Sequence, residues 1–366
     1  MKAGAAMYNV IAIDIGSTTT RIGYYHGNPP ILKETIHHAQ GNPRSLEDQL
    51  VLRKKVLLEY FTSHEIDPAS IDIYVSRGGL GKPGPSGIYR INEAMCEDLL
   101  TGVYGAHVSA VGPVIARFTA QAYGKDAVVV DPPSSDEFHA LARIIVYLFF
   151  LYHCVSHALN HKAASRKASK KMGRSYSDVN MVVAHMGGGI TVGAHRKGQV
   201  VDATHGLYEG PFTPERAGNL PAMDLLDLVR EKGYSREQIA RRLVGEGGLI
   251  AYLGTRDVPE IEEKISQGEV YARQIYQAMA YQIAKDIGAM SAVLAGEVDA
   301  IVLTGGLANS EMLVGWIREM VGFIAKIVVY PGEDEISALI EGGLRALGSP
   351  ESVLVYPPVS PDDHSR

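Results

Sequence analysis

The stretch that decides the fold is Asp14-Ile15-Gly16-Ser17-Thr18-Thr19, set between the apolar run Val10-Ile11-Ala12-Ile13 and the alternating Arg21-Ile22-Gly23-Tyr24-Tyr25. A short buried run, a tight Gly/Ser/Thr bend and a second run of strand length read as two antiparallel strands. His26-Gly27-Asn28 is a turn signal and residues 31–36 a third strand, so the chain opens as a β-meander. The bend joins strand to strand and lacks a Gly-Lys-Ser/Thr triplet, so it is not a P-loop. Its backbone N–H groups and hydroxyls can instead line a concave anion site, where small side chains let phosphate oxygens approach the backbone. A polar hairpin with no ligand explains the same residues equally well.

The design recurs. Met181-Val182-Val183-Ala184 and His185 lead into Gly187-Gly188-Gly189, followed by Ile190-Thr191-Val192-Gly193-Ala194, a turn at His195-Arg196-Lys197-Gly198 and a further strand from Gln199. Gly16 and Gly187 hold matching places, which predicts a duplicated fold with halves at residues 1–175 and 176–366. A third bend, Thr304-Gly305-Gly306-Leu307-Ala308-Asn309-Ser310, follows the buried run 300–304 and precedes a helical pattern over 311–321. Each bend alone is a weak signal; three, two of them on matching units, point to a polyphosphate site. Helical spacing is predicted over 46–64, 92–104, 156–172 and 335–347, with Ser156 as N-cap and Gly173 as stop of the basic third helix, whose Arg166, Lys167, Lys170 and Lys171 form a solvated face.

Composition bounds the function classes. The 366 residues suggest about two domains. A formal net charge of −6 offers no global positive field for nucleic acid or anionic lipid. Two cysteines, Cys96 and Cys154, exclude a disulfide framework and thiolate-built metal clusters. The N-terminus shows no secretory pattern, and the uncharged run 144–155 is too short to span a bilayer, which needs about 20 residues. The expectation is a cytoplasmic enzyme with no membrane or nucleic-acid partner.

Several blocks together resemble the acetate/butyrate kinase family, within the actin–sugar kinase–Hsp70 superfamily. They are Val75-Ser76-Arg77-Gly78-Gly79-Leu80, Tyr89-Arg90-Ile91-Asn92-Glu93, Ser156-His157-Ala158-Leu159-Asn160 and Ala184-His185-Met186-Gly187-Gly188-Gly189-Ile190. Gly193-Ala194-His195-Arg196-Lys197-Gly198, Gly210-Pro211-Phe212-Thr213-Pro214-Glu215-Arg216-Ala217-Gly218 and Leu303-Thr304-Gly305-Gly306-Leu307-Ala308 continue the match, which runs from about residue 14 to 347. The Arg-Gly-Gly-Leu, Ala-His-Arg-Lys-Gly and Gly-Pro-Phe-Thr-Pro-Glu-Arg blocks resemble the butyrate kinase branch more than the acetate kinase branch.

The resemblance implies an α/β architecture of two similar ribonuclease H-like (actin-like ATPase) domains, with mixed sheets flanked by helices and a ligand cleft between them. It implies reversible phosphoryl transfer between ATP and a short fatty acid, giving an acyl phosphate and ADP, with Mg²⁺ and at least a homodimer. It assigns Arg77, His157, Arg216 and Asp131 to catalysis. Asp14, Gly16, Ser17, Thr18, His185, Gly187, Gly188, Gly189, Gly305, Gly306 and Asn309 would hold the nucleotide, and Glu335 with Asp14 the metal. Glu333, Asp334 and Glu335 stay open as the metal acid, since acids at a helix start also favour its dipole. Taken singly, Arg77 and Arg216 are as well explained by structural ion pairs, and the histidines by satisfied loop or core positions.

The chemistry agrees with that residue set. A fatty acid has a carboxyl pKa near that of Glu, about 4.3, so it is ionised at neutral pH and needs no general base. The difficulty is an anionic nucleophile meeting an anionic phosphate, which calls for Arg, His and N–H donors. Other acids of similar size, such as acetate, propionate or isobutyrate, fit the same residues. So does an activator ATPase, although Cys96 and Cys154 match no cluster motif. Three places depart from the family pattern: Asp14 stands where Asn is usual, residues 107–110 lack a usual Asn, and 144–155 are apolar where a Gly/Pro-containing, charged connection is usual.

Overall fold

The computed structural model describes residues 8–27, 31–38, 45–144, 156–332, 334–348 and 353–357. The run 144–155, apart from exposed Ile144, lies outside them, as do Asn28, Cys154, Glu333 and the tail beyond Pro357. The chain forms two units, residues 1–136 with 334–366, and residues 137–333.

In the first unit β1 (Asn9–Ile15), β2 (Thr19–His26) and β3 (Leu32–His37) form the expected antiparallel meander. Two parallel strands, β4 (Ile73–Ser76) beside β1 and β6 (Asp126–Val130) beside β4, extend it, and β5 (Ile88–Arg90) adds antiparallel to β6. Strand alternation splits the apolar residues between faces. Ile11, Ile13 and Ile15 pack with Val56, Leu57, Tyr60 and Phe61 of α1 (Leu46–Ser63), Met95 and Leu99 of α2 (Glu93–Thr101), and Val111, Val114 and Ile115 of α3 (Val111–Ala122). Two helices begin on side-chain caps: Ser45 accepts from Asp48 N and Asn92 from Met95 N.

The second unit repeats the plan. The meander β7 (Asn180–Met186), β8 (Ile190–Arg196), β9 (Gln199–Ala203) is followed by parallel β10 (Ala300–Gly305) and β11 (Ile327–Pro331), in the order β11-β10-β7-β8-β9. Setting aside β5 and the C-terminal strand that pairs beyond it (Val353–Val355), the first sheet runs β6-β4-β1-β2-β3, the same order, so the duplication read from the two bends is real. Met181 and Val183 face Ala164 and Ala168 of α4 (Ala158–Lys171). Between β9 and β10 run α5 (Ala222–Lys232), α6 (Arg236–Leu243), α7 (Leu249–Leu253), α8 (Val258–Ser266) and α9 (Val270–Val293). The opposite face, with Val182, Ala184 and Met186, packs on α9 and on α10 (Glu311–Val321).

The chain then returns to the first unit. α11 (Glu335–Gly348) covers the open face of the first sheet, and β12 (Val353–Val355) pairs parallel with β5. The helix sits close because Gly342 and Gly343 bring bare backbone onto Val130, Val75 and Val10. The predicted boundary at 175/176 is therefore corrected at both ends. α4 belongs to the second unit because its alanines fill the β7–β10 face, and α11 belongs to the first because that sheet would otherwise leave one apolar face uncovered. A smaller correction concerns α4, whose N-cap is His157 rather than Ser156. His157 makes no capping bond; its ring is turned to β8 instead. Lys167, Lys170 and Lys171 are exposed, as expected of a solvated face.

Candidate functional site

The first unit gathers its charges at the ends of β1 and β4. The bend after β1 closes with Gly16 N–H donating to the Thr19 carbonyl at 3.0 Å, and Ser17 and Thr18 lie at its tip. The underside of the bend is held by Arg53 of α1, which is 1% exposed. Its guanidinium donates to the carbonyl of Gly16 (3.2 Å) and to Thr20 Oγ1 (2.6 Å), and its Nε to Gln49 Oε1 (3.0 Å). With the Gly16 carbonyl and the Thr20 hydroxyl engaged from below, the bend is fixed by a buried cation that no spacing rule singles out.

Asp14, buried at the end of β1, meets Glu335, buried at the first turn of α11. Two arginines bridge them. Arg21 Nη1 lies 2.6 Å from Glu335 Oε2 and 3.5 Å from Asp14 Oδ2, and Arg77 Nη1 lies 3.2 Å from Glu335 Oε1 and 3.6 Å from Asp14 Oδ1. Burial, and then the neighbouring Glu335 charge, push the Asp14 carboxyl up to about 7, against the pull of Arg77 and Arg21. The structure separates the three acids of the 333–335 run. Asp334 is taken by Lys33, at 2.6 Å, and by Ser337 N–H; Glu335 points inward; Glu333 lies outside the described residues. Arg77 and Asp14 thus sit in one ion network with Glu335.

That acid pair fits a hard divalent cation in kind. Asp14 Oδ1 is buried and makes no hydrogen bond, and the crowding of two carboxylates that raises Asp14 is what a cation relieves. Mg²⁺ commonly takes only one or two carboxylates alongside substrate phosphates. No group of three or more His, Cys, Asp or Glu side chains suited to a metal occurs among the described residues.

Immediately after Arg77 opens a small pocket. Gly78, Gly79 and Gly81 form one wall, and Tyr89, Met95, Leu99, Val129, Pro132 and Tyr356 supply an apolar lining. The glycines are required. Gly78 has φ +88°, and a Cβ on Gly79 would lie 2.8 Å from Leu99 Cδ2 and 3.0 Å from Ala110 Cα. Asp131 sits between the lining residues Val129 and Pro132, buried, at φ +42°, a conformation that costs a non-glycine residue about 1 kcal/mol or more and that marks constrained sites. His107, in the 107–110 block, is close enough to Arg77 to feel its charge. Burial, and then the Arg77 charge, hold its imidazole below the ordinary value.

The second unit places its residues around the end of β7. His185 is the next-to-last residue of that strand, and the His157 ring lies against it, tilted by 31° with centroids 4.2 Å apart. The triple-glycine bend follows, with Gly187 N–H donating to the Gly189 carbonyl at 3.0 Å. Arg216 lies directly on the bend: a Cβ added to Gly189 would fall 2.1 Å from its Nη1 and 2.7 Å from its Cζ. The loop is tied down as Thr213 Oγ1 donates to the Gly188 carbonyl at 2.7 Å and accepts from Arg216 N–H at 2.9 Å. Arg216 Nη1 donates to the Gly206 carbonyl, while its Nε is buried with no hydrogen-bond partner. Desolvation pulls its pKa below the ordinary value, opposed by Glu215, which itself pairs with Arg256 at 2.6 Å. Such a guanidinium is a strong site for an oxyanion.

The third bend adjoins the second. Gly305, φ +91°, has its backbone against Met186, where a Cβ would come within 2.4 Å of the carbonyl oxygen. Gly306 has open space around its Cα, and Asn309 Nδ2 donates to the Gly306 carbonyl at 2.9 Å before Ser310 caps α10. The expected residues therefore form two groups, Asp14, Gly16–Thr18, Arg77, Asp131 and Glu335 in the first unit and His157, His185, Gly187–Gly189, Arg216, Gly305, Gly306 and Asn309 in the second.

Residues 146–325 match the model of the Acetokinase family. Acetate kinase from Porphyromonas gingivalis superposes with a TM-score of 0.75 at 16% identity, over 93% of this chain and 100% of that one. A propionate kinase from Francisella tularensis subsp. tularensis SCHU S4 gives 0.74 at 18%, over 92% and 99%, and acetate kinase from Entamoeba histolytica 0.71 at 15%, over 92% and 99%. At such identities the likeness establishes the fold, the two-domain α/β architecture of acetate kinase, an actin-like ATPase fold. No described helix is long and apolar enough to cross a membrane.

Proposed function

We propose that the chain is a carboxylate kinase of the Acetokinase family that moves a phosphoryl group reversibly between ATP and a short fatty acid, with butyrate the preferred acceptor. The observation that carries this reading is Arg216: a half-buried guanidinium laid on a triple-glycine bend, with the neighbouring ring pair His157 and His185 on the same unit. Bare N–H groups, a desolvated Arg and a histidine suit a phosphoryl group in transfer.

In this reading one oxygen of the ionised acid attacks the γ-phosphorus as the bond to the bridging oxygen of ADP breaks. No side chain needs to remove a proton. Arg77 steers the carboxylate at the mouth of the pocket that opens at Gly78, and the alkyl chain occupies the apolar space beyond. Arg216 and His157 offset the charge on the transferring group. His185 and the bends at Gly16–Thr18, Gly187–Gly189 and Gly305–Asn309 receive the nucleotide, and Asp131 orders the floor beside Arg77. Asp14 and Glu335 would hold the divalent metal that the family uses with ATP, here Mg²⁺, which when bound neutralises nucleotide phosphate charge. The preference for butyrate is supported by the Arg-Gly-Gly-Leu block at 77–80, which resembles the butyrate kinase branch, and by the apolar lining that follows it. One methylene in such a pocket is worth about 1–3 kcal/mol.

The reading includes a cytoplasmic setting and a homodimer or higher homo-oligomer. α5 supports the latter, because it buries no residue of its own and exposes Met223, Leu226 and Val229. The test is to trap acyl phosphate with hydroxylamine from ATP and straight-chain acids of two to five carbons. Hydroxamate from butyrate in excess of that from acetate is the expected result. Preference for a shorter acid would correct the substrate, and ATP hydrolysis with no hydroxamate from any acid would overturn the kinase reading.

A further inference from the structure

The pocket beside Arg77 takes part of its lining from a distant stretch of the chain. Tyr356, 5% exposed, follows β12 and stands with Gly81, Met95 and Leu99 around that pocket. A regular pairing brings it there. Val353, Leu354 and Val355 lie opposite Ile88, Tyr89 and Arg90, so the next residue arrives at the start of α2.

Three hydrogen bonds then fix it. The Tyr356 hydroxyl donates to Asp98 Oδ2 at 2.6 Å and accepts from Lys82 N–H at 2.7 Å, and the Tyr356 carbonyl accepts from Asn92 Nδ2 at 2.5 Å. Asn92 also caps α2, its Oδ1 accepting from Met95 N–H at 3.0 Å. One side chain thus ties Tyr356 to the helix that carries Met95 and Leu99. Burial, and then the bond to Asp98, push the phenol above its ordinary value, so it stays an O–H donor. With the polar tip engaged as donor and as acceptor, what the ring adds to the lining is apolar surface.

The glycines after Arg77 sort the partners of the loop. A Cβ on Gly78 would lie 2.9 Å from Pro132 Cβ, one on Gly79 2.8 Å from Leu99 Cδ2, and one on Gly81 3.1 Å from the Tyr356 hydroxyl oxygen. Counted from Arg77, the loop therefore meets Pro132, then Leu99, then Tyr356. β5, which carries the lining residue Tyr89, and β12, which delivers Tyr356, have no counterpart among the described strands of the second sheet. The phosphate bends recur in both units, whereas this lining belongs to the first.

We infer that Tyr356 is a specificity-determining residue, its ring being the stop that limits how long an acyl chain the pocket admits. The inference rests on the carboxylate kinase reading, in which the carboxylate lies at Arg77 and the alkyl chain in the pocket. An apolar stop held by Asp98, Lys82 and Asn92 suits a hydrocarbon terminus, and because those three bonds anchor the ring it yields little to a longer acid.

The test has two arms. Tyr356→Leu shortens the side chain and should raise kcat/KM for hexanoate relative to butyrate by about 10-fold or more, since one methylene in an apolar pocket is worth roughly 10-fold to 200-fold. KM for ATP should stay as in wild type, and Tyr356→Phe, which keeps the ring and loses its two anchors, should raise the ratio less. A folded Tyr356→Leu protein with an unchanged ratio, even a slower one, would overturn the proposal, because a merely structural role lowers both acids together. The second arm needs no altered packing. In protein labelled with 3-fluorotyrosine, the Tyr356 resonance, assigned by its loss in Tyr356→Phe, should shift when butyrate is added. Acyl phosphate formation with an unmoved Tyr356 resonance would overturn the proposal and leave the kinase reading standing. A shifted resonance with no acyl phosphate from any acid would sink the kinase reading and keep Tyr356 at the acid site; neither signal would sink both.

Discussion

Gly189→Ala perturbs one contact that can be measured on the structure. The new Cβ would lie 2.1 Å from Arg216 Nη1, whereas ordinary contact begins at 3.4 Å, so the guanidinium must retreat by about 1.3 Å. Its alternatives are few, because Nη1 is held by the Gly206 carbonyl and its own N–H by Thr213 Oγ1. A misplacement of about 1 Å at a reacting centre can lower the rate about 100-fold, or about 2.7 kcal/mol of barrier. We expect that loss in kcat, read by hydroxamate formation, with the fold retained. The double variant Gly189→Ala/Arg216→Ala tells whether the clash acts through this one side chain. If it does, the double variant is no slower than Arg216→Ala alone, because the methyl then has no guanidinium to displace. Gly315→Ala, in α10 with open space around it, is the control: it should leave turnover intact and gain about 0.5–1 kcal/mol of stability. A folded Gly189→Ala protein with wild-type turnover would refute the placement of Arg216 on the bend as the source of its role.

Two further outcomes follow from the first unit. Asp14 is held up to about 7, above its ordinary 3.8, so the folded state binds this proton more tightly than the unfolded chain. Stability is then lost as pH rises from about 4 through about 7, by at most about 4 kcal/mol; Asp14→Asn should remove that part of the pH dependence of chemical unfolding, and an unchanged profile would contradict the assigned burial and Glu335 proximity. Gly343→Ala would bring a methyl to 2.7 Å from Val75 Cγ2 and 2.9 Å from Val10 Cγ1, lifting α11 from the sheet. The unfolding free energy should fall by about 1–3 kcal/mol, and a variant as stable as wild type would argue against so close a seat for the helix.

Several parts of the fold were legible in the residues alone because their determinants are local. The meanders at 9–37 and 180–203 are set by apolar alternation and by glycines whose effect spans a few residues, and both appear where the pattern places them. The helix start at Glu311 follows from Ser310, whose hydroxyl accepts from Leu313 N–H. The duplication could be read because the two bends repeat one local grammar, and the matching strand orders bear it out. The division of the chain could not. Nothing near residue 335 says that α11 belongs with strands more than three hundred residues earlier, since Arg21 and Glu335 are 314 positions apart.

The sequence by itself determined the two strand–bend–strand units and the glycine-rich bends, because each is encoded by neighbours along the chain. Tertiary structure alone decided that Glu335 rather than Asp334 turns inward to Asp14, that Arg53 braces the first bend from beneath, and that His157 leans on Thr191 instead of capping its helix. The reason is physical: which side chain of a turn is buried, and which ring of a helix meets which hydroxyl of a strand, depends on how two packed surfaces register, and that register is fixed by side chains far apart in sequence.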